Sequence, residues 1–230
     1  MSTYKVIGIL GGMGPAATAD LYLKIVQTYQ LKYGANADSD FPRIVIESLP
    51  IPDILDTSQN ETEIRRILIE ASVRLEKAGC QSIVIACNSV QFLVDDLRAS
   101  INTSILSMCD VLYEYLQTSS IRKLGLLCTR TTRERGVYAS LDKKGFTLLY
   151  PPERDERLIY QTIESVLAGN TDVTQGSILL AIALCLKKRG AEAIALACTE
   201  LPLVVDSRDM PRFIDLTQLY ANAIVADSVI

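Results

Sequence analysis

One segment of this chain occurs twice, and both copies end in a cysteine followed by a polar residue. Lys77-Ala78-Gly79-Cys80-Gln81-Ser82-Ile83-Val84-Ile85-Ala86-Cys87-Asn88 recurs as Arg189-Gly190-Ala191-Glu192-Ala193-Ile194-Ala195-Leu196-Ala197-Cys198-Thr199. The glycine stands 8 residues before the last cysteine in each (87 − 79 and 198 − 190), and the copies lie 111 positions apart (198 − 87). Each copy reads as a basic helix end, a glycine stop and a short apolar strand ending at a thiol. The openings Val6-Ile7-Gly8-Ile9-Leu10 and Lys123-Leu124-Gly125-Leu126-Leu127 repeat in the same way. The pattern therefore predicts a duplicated α/β lobe with one thiol at the same strand end in each half. Two thiols able to face one carbon from opposite sides are what proton transfer on both faces of that carbon needs.

Composition narrows the chemistry. The chain has 230 residues, six cysteines and no histidine. Without histidine there is no Ser-His or Cys-His nucleophile pair and no His metal ligand. Acid–base work falls to Cys, Asp, Glu, Lys or Tyr. The cysteines show no C-x-x-C spacing, so they read as reduced thiols and not as a disulfide frame or a metal site. The formal net charge is −4, with no basic stripe for nucleic acid. The first residues lack a signal-peptide core, and the apolar run Ile178–Leu186 is too short to span a bilayer. These features lead us to expect a cytoplasmic protein without a membrane or nucleic-acid partner.

Strands are expected at 5–10, 43–48, 82–86, 105–108, 146–149 and 212–215, with one more opening at Lys123 and another ending at Cys198. Helices are expected from Pro15 to about 32, from Asn60 or Thr62 to Gly79, and from Asn88 to about 98. Others should cover 111–117, a stretch from Thr132, 156–168, 174–189 and a last one capped by Thr217. Residues 151–155 read as a polar loop. Alternating helices and β-branched apolar strands imply parallel sheets flanked by helices. Ligands of such sheets bind beyond the C-terminal strand ends, where Gly11, Cys87, Thr129 and Cys198 lie. The expected lobes are 1–116, joined by a returning helix 214–230, and 117–213.

Several motifs admit two readings. Gly12-Met13-Gly14-Pro15-Ala16-Ala17 fits a dinucleotide-binding G-x-G-x-x-A, with Glu47 ending the next strand. It equally fits a tight strand-to-helix turn, or a loop whose N–H groups receive a small carboxylate. Cys87 and Cys198 could each be a buried small hydrophobe; their matched placement favours function. The polar residues after them are expected to open helices whose N–H groups favour a thiolate. Cys80, Cys109 and Cys185 are assigned to packing, and Cys128 is left at its strand end without a role. Thr129, Thr131 and Thr132 could bind a carboxylate or cap the next helix. Arg130, Arg133 and Arg135 read as a solvated face or as a cationic clamp. Asp53 and residues 153–157 read as surface.

At these residues the chain resembles the aspartate/glutamate racemase family. The likeness rests on Ile7–Thr18, on Ala86-Cys87-Asn88-Ser89, on Ala197-Cys198-Thr199-Glu200-Leu201-Pro202, and on 124–132 and 159–170. The resemblance implies two similar α/β lobes with the site in the cleft between them, no cofactor, an amino-acid substrate and a homodimer. It makes Cys87 and Cys198 the acid/base pair. Asn88, Thr199 and Thr132 would hold the substrate's amino and carboxylate groups; Met13, Ser89, Thr129 and Glu200 would line or complete the site. No metal is implied.

Three departures stand out. Gln91 occupies the place where the family commonly has histidine, and Ser89 replaces threonine. Ile54 follows Ile51-Pro52-Asp53 where aspartate racemases commonly carry arginine. No lysine lies around Ser165–Leu167. The missing cations would pair with an acidic side chain, so a neutral or larger amino acid also fits. A dicarboxylate lyase or isomerase on the same scaffold, a catalytically silent binding protein and a nicotinamide enzyme remain as alternatives at this point.

Overall fold

The computed structural model describes residues 4–52 and 60–230; Asp53 and Ile54, named above, lie outside the described residues. The chain divides into two compact units, Met1–Val111 with Thr217–Ile230, and Leu112–Leu216. The first unit holds strands β1 (Ile7–Gly11), β2 (Ile44–Ser48), β3 (Ser82–Ile85) and β4 (Ser104–Leu106), all parallel, in the order β2-β1-β3-β4. The second holds β5 (Lys123–Leu127), β6 (Thr147–Leu149), β7 (Ala193–Leu196) and β8 (Ile214–Asp215), parallel, in the order β6-β5-β7-β8.

The two orders are the same order once β1 is matched with β5 and β3 with β7. Those are the strands that carry the sequence repeats. Gly8 pairs with Ile83 in one sheet and Gly125 with Ile194 in the other. Bare glycine is needed at both places because neighbouring side chains press on it. A Cβ on Gly125 would meet Ile194 Cδ1 at 2.6 Å, and one on Gly8 would meet Cys80 Sγ at 3.0 Å.

Helices cover the strands. In the first unit α1 (Pro15–Tyr33), α2 (Glu61–Lys77) and α3 (Val94–Ser100) follow β1, β2 and β3. α4 (Met108–Thr118) carries the chain from one unit into the next; the expected boundary at 116/117 falls in this helix. The second unit adds α5 (Arg130–Glu134), α6 (Ser140–Lys143), α7 (Glu153–Leu167) and α8 (Gly176–Lys188). The last helix, α9 (Leu216–Ser228), belongs to the first unit. Its Tyr220, Ala221, Ile224 and Val225 pack with Ile7, Ile9, Leu21, Ile25, Tyr29 and Val84 in one apolar layer. The opposite layer joins Leu10, Ile83 and Ile85 to Ile64, Leu68, Ala71 and Leu75 of α2.

Two expectations about helix starts need correction. Residues 151–155 are not a loop throughout: Pro152 is the N-cap of α7, which begins at Glu153. Glu153, Asp155 and Glu156 fill its first turn, where acidic side chains favour a helix start. Nor does a helix begin at Asn88 or Thr199. After Cys87 comes a 3₁₀ turn at Gln91–Leu93, then α3; after Cys198 comes a 3₁₀ turn at Leu201–Val204 with Pro202 near its start. Among the described residues no helix is long and apolar enough to cross a membrane.

Candidate active-site residues

The first thiol corner is built on the ends of β1 and β3. α2 stops at Gly79, whose φ of +84° is the left-handed geometry a glycine stop supplies. The chain then enters β3 and leaves it at Ile85. Ala86 N–H still donates to Leu10 O of β1 at 2.9 Å, so Cys87 is the first residue released from the ladder. Cys87, Asn88 and Ser89 are each 2% exposed. Gln91, four residues on, folds its amide back onto this corner. Its Nε2 donates to Cys87 O at 3.1 Å, and its Oε1 accepts from Met108 N–H at 3.1 Å.

Met13 is also buried, and belongs to the same apolar cluster as Cys87, Leu10 and Leu49. The turn that carries it is tight. Gly12 has φ +88°, and a Cβ there would lie 2.4 Å from Leu49 N. Gly12 N–H donates to Thr18 Oγ1 at 2.9 Å, and that hydroxyl donates to Gly14 O at 3.0 Å. The Met13–Gly14 peptide is cis. With the Gly12 donor engaged by the first turn of α1, this geometry fits a strand-to-helix turn better than a pyrophosphate cradle. Glu47 tells the same story, since its Oε1 accepts from Arg74 Nε at 2.7 Å instead of standing open for a ribose.

The second thiol corner, in the other unit, repeats the plan on β5 and β7. Gly190 ends the α8 region with φ +98°, and Ala197 N–H donates to Leu127 O at 2.8 Å. Cys198 again follows the last ladder bond and is 4% exposed. Here a carboxylate joins the thiol. Cys198 Sγ–H donates to Glu200 Oε2 at 3.0 Å, and Thr199 Oγ1 donates to the same oxygen at 3.2 Å. Thr199 and Glu200 are both buried.

Past β5, Thr129 caps α5. Its Oγ1 accepts from Thr132 N–H at 3.0 Å and lies 2.9 Å from Thr132 Oγ1. The two hydroxyls therefore form a buried pair at the same strand edge as Cys198. Capping and ligand binding are compatible here, because a hydroxyl oxygen has two lone pairs and one proton.

The remaining thiols separate by environment. Burial pushes the Cys128 thiol up to about 12, with the Glu156 charge adding to the shift and Arg133 opposing it. Burial likewise pushes Cys109 up to about 12 and raises Cys80. These three are poor thiolates. Cys185 corrects the packing assignment: it is exposed on α8, on a face turned to water, beside exposed Leu184. None of the six cysteines is in a disulfide.

The arginines offer no unopposed clamp. A pocket of about 630 Å³ in the second unit has Arg130, Arg133 and Arg189 in its lining, with Glu134, Glu153 and Glu156. Arg133 pairs with Glu156 and sits 5.2 Å from the Tyr150 ring centroid; Arg130 lies 4.0 Å from Glu134. Positive and negative groups balance along this wall. Along α7 the sequence carries no lysine. Among the described residues, no group of three or more acidic or thiol side chains is placed to hold a metal ion.

Two equivalent parallel sheets, each releasing a buried cysteine and a polar neighbour at the end of an inner strand, define a duplicated α/β protein with twin thiol corners. The chain belongs to the Asp/Glu/Hydantoin racemase family, whose model matches residues 10–224. It is 25% identical over 205 residues to the broad specificity amino-acid racemase RacX of Bacillus subtilis (strain 168), covering 87% of this chain and 88% of that one. The crystal structure of an aspartate racemase homologue from Pyrococcus horikoshii OT3 is 26% identical with a TM-score of 0.77, covering 96% of this chain and 98% of that one. The aspartate racemase of Picrophilus torridus shares the fold, with a TM-score of 0.78 at 24% identity over 97% of this chain and 94% of that one.

Proposed function

We propose that this chain is a cofactor-independent amino-acid racemase that inverts the α-carbon through Cys87 and Cys198. The observation that carries the reading is the pair of buried cysteine thiols, neither in a disulfide, released at equivalent ends of β3 and β7. One thiolate takes the α-proton from one face and becomes a thiol. The other thiol gives its proton to the opposite face and becomes the thiolate. The product leaves the two sulfurs with exchanged protonation, and the opposite enantiomer resets them. Glu200 stands within hydrogen-bond reach of Cys198 Sγ, so its carboxylate can take and return that proton between turnovers.

The α-proton is weakly acidic. Two placed thiols supply about 10²–10⁴-fold by general acid–base catalysis. Orientation and donors aimed at the developing carboxylate charge must supply the rest. We assign that work to Asn88, Thr199 and the Thr129–Thr132 hydroxyl pair, with Met13 and Ser89 lining the site. Ile54 and the lysine-free α7 leave an acidic side chain without the two expected cations, and the relative RacX is a broad specificity amino-acid racemase. We therefore assign a substrate range that includes neutral amino acids. The reduced thiols and the family likeness support a cytoplasmic enzyme, and the likeness supports a homodimer.

Proton NMR in D₂O with a panel of L- and D-amino acids tests the reading. At least one amino acid is expected to lose its α-proton signal with the native protein. A panel in which no amino acid exchanges rejects the racemase reading for those substrates and favours a dicarboxylate-acting or binding role.

A further inference from the structure

Gln91 is a departure from the family pattern that removes a titratable side chain from the neighbourhood of Cys87. Its contacts show what it does in return. The side chain is buried, and it touches three separate pieces of backbone. Nε2 donates to Cys87 O at 3.1 Å and, more weakly, to Ile85 O at 3.4 Å. Oε1 accepts from Met108 N–H at 3.1 Å. The end of β3, the corner that carries the thiol and the first turn of α4 are thereby tied to one planar amide.

The chemistry of the tie restricts what can make it. It needs two donors and one acceptor on one flexible stem, which a neutral primary amide supplies. An ionised carboxylate of the same length offers acceptors only. A neutral imidazole offers one donor and one acceptor, on a shorter and stiffer stem. An apolar side chain would leave buried backbone groups without this partner, which is unfavourable because they are away from water. Tyr220 makes a second tie at the same corner, accepting from Ile85 N–H at 3.1 Å and donating to Leu106 O at 2.6 Å.

We propose that Gln91 is a positioning residue for the Cys87 thiol. It fixes the corner from which that sulfur reaches the α-carbon, through hydrogen bonds that do not depend on pH. The inference rests on the reading of Cys87 as one of the two proton-transfer thiols.

The test compares Gln91→Met, Gln91→Glu and Gln91→His with the native chain in two measurements. The first is steady-state racemisation of whichever amino acid the NMR panel identifies. Gln91→Met is expected to lower kcat by about 10–100-fold, the scale of a misplaced reacting group, while KM stays close to native. Gln91→His, which restores one donor and one acceptor, is expected to recover part of the loss. The second measurement is the rate of iodoacetamide modification at Cys87 and at Cys198, read by peptide mass spectrometry in the same molecules. It needs no substrate, and Cys198 serves as the internal reference.

Release of the corner in Gln91→Met is expected to raise the Cys87 rate about tenfold and to leave the Cys198 rate unchanged. Gln91→Glu keeps the acceptor for Met108 and loses the donors, so it is expected to change the ratio in the same sense. It serves as the deciding variant if Gln91→Met does not fold. An unchanged Cys87:Cys198 ratio in the folded variants overturns the inference, as does a Gln91→Met enzyme with native kcat. If the native chain racemises nothing, the functional reading fails by itself, and the modification ratio still decides whether Gln91 places the thiol.

Discussion

Cys87 and Cys198 are alike in placement and unlike in company. Both follow the last ladder bond of an inner strand, but Cys198 shares a hydrogen bond with a buried glutamate, whereas the Cys87 corner is held by the Gln91 amide. Replacement of either thiol by alanine is expected to reduce racemisation by about 10²–10⁴-fold, with native-like melting as the control. An alanine variant that keeps native turnover removes that thiol from the mechanism. Other cysteines should behave differently. With burial pushing Cys128 up to about 12, iodoacetamide at pH 8 is expected to spare it in the folded protein and to mark exposed Cys185 first. Mass spectrometry of the modified peptides reads the order. Single residues were legible in sequence where the repeat singled them out. Glu200 was legible only as a neighbour in the Cys198 motif; its turn back onto the thiol depends on the backbone path after β7, which no spacing rule gives.

At the level of elements, the glycine stops and apolar runs located the inner strands well. The apolar run predicts β3 through Ala86, one residue beyond the observed end at Ile85, and the helical spacing carries α1 to about 32, where it ends at Tyr33. What the sequence hid was the geometry just past each cysteine. Polar residues there suggested helix starts; the chain instead makes 3₁₀ turns, because Gln91 folds back onto Cys87 in one copy and Pro202 constrains the other. Two elements invite direct tests. Tyr220→Phe removes the phenol that α9 sets between Ile85 N–H and Leu106 O. It is expected to cost roughly 1–3 kcal/mol, read as a lower denaturation midpoint; a native midpoint would mean that the two backbone groups find other partners. Gly12→Ala forces a side chain into a φ of +88° and against Leu49. A loss of about 1–3 kcal/mol is expected, measured in the same way.

For the whole molecule, duplication is the organising fact. The same four-strand order is built twice, and the sequence showed this because its repeats fall on the matched inner strands. The outer strands β4, β6 and β8 are two or three residues long, too short for their equivalence to be read from pattern. Buried and partly buried acids of both units also set a collective pH response. Cys109 and Cys128 rise from 9.0 to about 12, and Tyr29 from 10.0 to about 12, chiefly through burial. A raised value means that the folded protein keeps protons that the unfolded chain gives up. This contribution to stability is complete below pH 9 and is lost as pH climbs from 9 through 12, by up to ~1.4 kcal/mol per pH unit for each group. Melting temperature is therefore expected to hold steady up to about pH 9 and then fall, with a shallower fall in Cys128→Ala; an equal slope in that variant contradicts the assignment.

The central claim is that two different thiols serve the two faces of one carbon, and isotope placement early in the reaction tests it most directly. A single enantiomer of the identified substrate is incubated in D₂O, and product and remaining substrate are separated within the first few per cent of conversion. With two thiols, the product should carry deuterium at the α-carbon while the remaining substrate keeps its protium, from either starting enantiomer. Product that retains the substrate's own proton would show a single group working on both faces, and would contradict the account.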